Sequence, residues 1–105
     1  MKTVLLIFLL SACIYADAEM REKIHDDYQA INKKLNTTLQ KFIQSLPKEE
    51  RQNLINAQKA WVKYRDAECY FQSYPMRDGT GEYTMVLSCL IELTDRRISL
   101  LNRNL

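Results

Sequence analysis

The densest group of reactive side chains in this 105-residue chain is Trp61-x-x-Tyr64-Arg65-Asp66-Ala67-Glu68-Cys69. A carboxylate pair can divide acid and base work, but Asp66 and Glu68 stand two apart, and on a helix such neighbours point to different sides. His25 is the only histidine, so a metal site would have to rest on carboxylates, and an exposed helix residue is expected instead. Asp78-Gly79-Thr80-Gly81-Glu82 lacks the repeated acids of a calcium loop and the Gly-Lys-Ser/Thr ending of a phosphate loop. No serine or cysteine has a base in view. These patterns predict a protein that is not an enzyme and holds neither metal nor cofactor.

The cysteines offer structural chemistry. Cys13 belongs to an apolar N-terminal run, which leaves Cys69 and Cys89 as an even pair. They lack the Cys-x-x-Cys spacing of a redox or zinc site, so one disulfide is expected, contributing about 3 kcal/mol by loop-closure entropy. Met1-Lys2 followed by Thr3 to Leu10 has the layout of a secretory signal. Two processing readings stay open. Ala16-Asp17-Ala18 suits an ordinary signal peptidase, making residues 1–18 the signal and 19–105 the domain, and a cut after Ala16 is a near variant. Leu10-Ser11-Ala12-Cys13 instead resembles a lipobox, in which residues 1–12 leave and Cys13 is lipidated. Ile14-Tyr15 carries the apolar run past the cysteine and favours the soluble form. The expected location is periplasmic or secreted, with a membrane-anchored lipoprotein as the alternative. Membrane contact is then limited to that lipid anchor or an uncleaved signal.

The elements that must position these groups are helices. Only two glycines and two prolines occur, too few for the turns of a small β fold, and the chain has room for one domain. Ile24, Tyr28, Ile31, Leu35, Leu39, Phe42 and Leu46 recur at steps of three and four, the spacing of an amphipathic helix. Pro47-Lys48-Glu49-Glu50 opens a second helix to about Gln72, with Leu54, Ala57, Trp61, Tyr64, Glu68 and Phe71 on one stripe. A loop from Tyr74 to Glu82 holds both glycines. A third helix from about Tyr83 carries Val86, Leu90, Leu93, Arg97 and Leu100. The expected fold is all-α: a small antiparallel bundle of three helices, with the disulfide joining helices two and three. Glu68 and Arg97 each interrupt an apolar stripe and are expected to form a half-buried ion pair, whose loss would cost about 3–5 kcal/mol.

Charge excludes one partner class. Fifteen basic against thirteen acidic residues give +2 with no basic stripe, which argues against nucleic acid. Tyr74, Met76, Arg77, Asp78, Glu82 and Tyr83, on a loop closed by a disulfide, suit contact with a protein, because a rigid loop loses less entropy on binding. A merely solvated connector is the alternative. Asn36-Thr37-Thr38 matches a glycosylation sequon, which carries little meaning if the lipobox-like start marks a bacterial protein.

Asp27-Tyr28, Leu46-Pro47-Lys48-Glu49-Glu50-Arg51, the run Ala57-Gln58-Lys59-Ala60-Trp61-Val62-Lys63-Tyr64-Arg65-Asp66-Ala67-Glu68-Cys69, and Ser88-Cys89-Leu90 with Leu93-Thr94-Asp95-Arg96-Arg97 resemble the LprI-type lysozyme inhibitor N-terminal domain, from about Lys23 to Leu101. The resemblance implies a small exported helical bacterial protein, in some members lipidated, that inhibits lysozyme. Trp61, Tyr64, Arg65, Asp66, Glu68, Cys69, Cys89, Thr94 and Arg97 fall on its pattern and are read mainly as framework. Many relatives carry a further cysteine pair before the first helix, and this chain has no such pair. Two functions follow from the resemblance and the loop: a protein that covers a muramidase cleft, with Arg77 meeting its carboxylates, or an envelope adaptor for another exported protein. A chain at +2 gains no long-range attraction to a basic lysozyme, so Asp78 and Glu82 would steer locally.

Overall fold

The computed structural model describes residues 2–103, with side chains from Asp17 onward. Three helices follow in order: α1 (Lys2–Ser45), α2 (Lys48–Ser73) and α3 (Glu82–Arg103), with a short 3-10 turn at Tyr74–Met76. Cys13 and the expected cleavage after Ala18 concern side chains and processing outside this description, except that Asp17 to Met20 are exposed. Among the described residues no helix is long and apolar enough to cross a membrane. The expected second helix lies within one residue of its observed ends and the third within one residue of its observed start; α1 begins well before the expected Ile24.

Pro47 stands just before α2, where its missing N–H costs no helical hydrogen bond, and Glu49 and Glu50 complement the positive end of the helix. α1 and α2 run antiparallel from this turn toward the same end, with little close backbone approach between them. Instead α3 packs against both. Arg21 and His25 meet Tyr83 at one end, while Leu35 and Phe42 cluster with Ile98 and Leu101 at the other, so α1 and α3 run parallel. Cys69 joins Cys89 and Gln58 meets Arg97, so α2 runs antiparallel to α3. Between α1 and α2 a shallow apolar groove of about 180 Å3 stays open, lined by Leu39, Ile43, Leu54, Ile55 and Val62.

The apolar core lies near the Pro47 turn: Leu35, Phe42, Ile98 and Leu101, with Ile31, Leu39, Leu46, Leu54 and Trp61 packed on it. The expected α1 stripe faces inward throughout. The α2 stripe does not. Cys69 is 1% exposed and sets the inward direction, and at about 100° per residue Leu54, Gln58, Val62, Arg65 and Ser73 lie within about 60° of it. Arg65 and Ser73 are buried, whereas Tyr64 and Phe71, expected on the core stripe, are exposed. On α3 the deepest residues are Leu87, Cys89, Thr94, Ile98 and Leu101, and Leu100, expected inside, is exposed. A helix buried on two sides does not show one stripe.

Candidate functional site

The family-pattern residues divide into an internal plate and an outward set. Cys69 and Cys89 are bonded with their Cα atoms 5.5 Å apart, inside the span such a bridge requires. One to three turns toward the Pro47 end, half-buried Trp61 meets two guanidinium groups, Arg65 at 5.1 Å and Arg97 at 5.9 Å from its ring. Each arginine has one polar anchor: Arg65 Nε donates to Asp66 at 3.0 Å and Arg97 Nε donates to Gln58 at 3.0 Å. Thr94 is fully buried and its hydroxyl has no partner among the described residues. These contacts make the plate a cation–π and hydrogen-bond joint between α2 and α3.

The expected Glu68–Arg97 ion pair does not form. The disulfide fixes the antiparallel register, which sets Arg97 beside Trp61; Glu68 lies seven residues along, about 10 Å away. Glu68 instead accepts a hydrogen bond from Gln72 at 3.0 Å on its own helix. Burial without an opposing carboxylate lowers the Arg97 pKa from its ordinary value. Asp66 and Glu68 face separate partners, as their spacing requires, and among the described residues no group of metal-ligating side chains converges.

The loop is braced at both ends. Arg77 stacks over the Tyr74 ring at 5.6 Å, and Tyr74 meets Tyr70 edge to face with centroids 6.3 Å apart. Asp78 takes the left-handed conformation, φ 61°, which an aspartate tolerates better than most residues, and its N–H donates to Glu82 Oε2 at 3.0 Å. Gly79 does not supply that conformation. Its N–H reaches Met76 O at 3.0 Å, and an added Cβ would stand 3.1 Å from the same oxygen. On the far side the Tyr83 hydroxyl and His25 Nδ1 are 3.2 Å apart, and Arg21 lies 4.9 Å from the Tyr83 ring. His25 is exposed, as expected.

Of the six loop residues singled out from sequence, Tyr74, Met76, Arg77 and Asp78 are exposed, Tyr83 is at the margin, and half-buried Glu82 accepts the exposed hydrogen bond from Asp78 N–H. Two residues were missed. Tyr70 and Phe71 are 62% and 72% exposed and, with Tyr74 and Pro75, line an open cleft of about 370 Å3. The inward direction of Cys69 was the signal that would have placed them outside. The arrangement offers exposed apolar area, the Arg77 guanidinium over the Tyr74 ring and a braced backbone, a combination suited to recognition.

The family model for lysozyme inhibitor LprI matches residues 12–101. An uncharacterized protein, R02472, of Rhizobium meliloti (strain 1021) is 30% identical over 84 residues, covering 68% of this chain and 60% of its own length. The chain thus spans 60% of the length of that curated relative. No solved structure matches. The chain belongs to the lysozyme inhibitor LprI family.

Proposed function

We propose that this LprI-family chain is an exported bacterial protein that blocks a muramidase by direct contact and carries out no catalysis of its own. The observation that carries the reading is the loop from Tyr74 to Asp78: exposed, tied by Gly79 and Glu82, and presenting Arg77 on the Tyr74 ring. A glycosidase needs two carboxylates flanking the scissile bond and a groove that accepts sugar rings. Arg77 matches the first by charge, and exposed Met76 matches the second by apolar area. Because the loop is already held, less conformational entropy is lost on docking. The N-terminal layout supports export, either as a domain of residues 19–105 or as a lipoprotein held through Cys13.

The test is a panel of muramidases assayed with the purified exported chain, its N-terminus read by mass spectrometry and its disulfide intact. Inhibition at micromolar concentration is expected, and Arg77→Ala should weaken it at least about tenfold, a loss of about 1.4 kcal/mol. Helicity should not change, since the side chain is exposed. No inhibition of any muramidase would leave the adaptor reading, and unchanged potency in Arg77→Ala would move the contact off the loop.

A further inference from the structure

α2 has a second apolar stripe. Ala57, Ala60, Tyr64, Ala67, Phe71 and Tyr74 follow steps of three and four, and all six are exposed. At about 100° per residue they lie about 120–180° from the direction of Cys69, on the side of α2 turned away from α3. A strict 3-4 repeat is the seam of a two-helix packing. The surface of a lone helix would carry polar residues at these places.

We propose that two copies of this chain associate through this face, with their α2 helices antiparallel. Size sets the direction. In the antiparallel register centred between Arg65 and Asp66, Tyr74 meets Ala57 of the second copy, Phe71 meets its Ala60, and Tyr64 meets its Ala67. Every ring faces a methyl group, so the helices keep one spacing along the seam. A parallel pair would set ring on ring and methyl on methyl, leaving gaps at the alanines that forfeit dispersion contacts. The cleft beside Phe71 and Tyr74 is where the alanine end of the other helix would seat. At the flank, Lys63 comes beside Tyr70 of the second copy, a cation over an aromatic ring, twice by symmetry.

The area suffices. Tyr64, Tyr70, Phe71 and Tyr74 are 57%, 62%, 72% and 56% exposed. Rings of this size present about 450 Å2 per copy at those exposures. Doubled, and with the alanines and Pro75 added, the pair reaches the roughly 1,000 Å2 that a specific interface requires. The contact is isologous, so it closes at two copies. It places the two Arg77 loops at opposite ends of the dimer.

Sedimentation of the full exported chain alone, without lysozyme, tests this. A concentration-dependent dimer is expected, and Phe71→Glu and Ala60→Glu should each abolish it with unchanged helicity. A spin label on Asn53→Cys in the wild-type background should report a separation of about 37 Å along the dimer. About 10 Å would mean a parallel pair and overturn the register. A monomer up to about 100 μM, or a dimer that survives both glutamates, would overturn the proposal. So would a monomer whose Phe71→Glu variant loses lysozyme inhibition, since the face would then belong to that partner.

Discussion

The two ends of the bundle are held by different forces. At the Pro47 end, Phe42, Ile98 and Leu101 bury apolar area, and no charged pair is involved. At the other end the helices hold a disulfide, Tyr83 against Arg21 and His25, and a loop tied by hydrogen bonds, while Phe71, Tyr70 and Tyr74 stay in solvent. Burial cannot serve both needs, because a ring packed inside is not available to a partner. A covalent link stabilises the loop end without using its apolar surface. The core end supplies folding energy, and the loop end keeps its aromatic surface exposed.

Substitutions at the two ends should therefore separate stability from binding. Phe42→Ala should cost the most, about 3–5 kcal/mol, read as a lowered thermal midpoint, with unchanged inhibition per folded molecule. Replacing Cys69 and Cys89 together by alanine should cost about 3 kcal/mol and, unlike Phe42→Ala, speed amide exchange selectively from Tyr74 to Glu82. Arg97→Met should cost only about 1 kcal/mol, the value of its bond to Gln58, because no carboxylate is left unpaired. Glu68→Gln should stay within about 0.5 kcal/mol by chemical denaturation; a loss of several would restore the ion pair that the register excludes. Thr94→Val should be neutral or slightly stabilising, since the methyl replaces a buried hydroxyl that has no partner.

The same contrast explains what the sequence revealed. α1 packs mainly against one neighbour, α3, so its stripe from Ile24 to Leu46 was legible in full. α3 packs against two, and its buried positions, Leu87 to Leu101, spread over a wider arc than a single repeat describes. On α2 two apolar stripes compete, one facing α3 and one facing solvent, and hydropathy weights Tyr64 and Phe71 as if they were core. Only the cysteine, whose partner must lie inside, separates the two. The glycines marked the loop correctly, yet the left-handed residue is Asp78, because a short polar side chain also reaches that conformation. Glu68 and Arg97 were paired on burial alone, without a register to say whether they could meet.

The placement of α3 also bears on the order of events during synthesis. α1 and α2 leave the ribosome first, and with so few contacts between them they form no core of their own. The surface on which both rest is the last 22-residue helix. The chain therefore stays without a stable fold until its C-terminal segment is complete, and the disulfide, which needs Cys89 from that segment, closes after it.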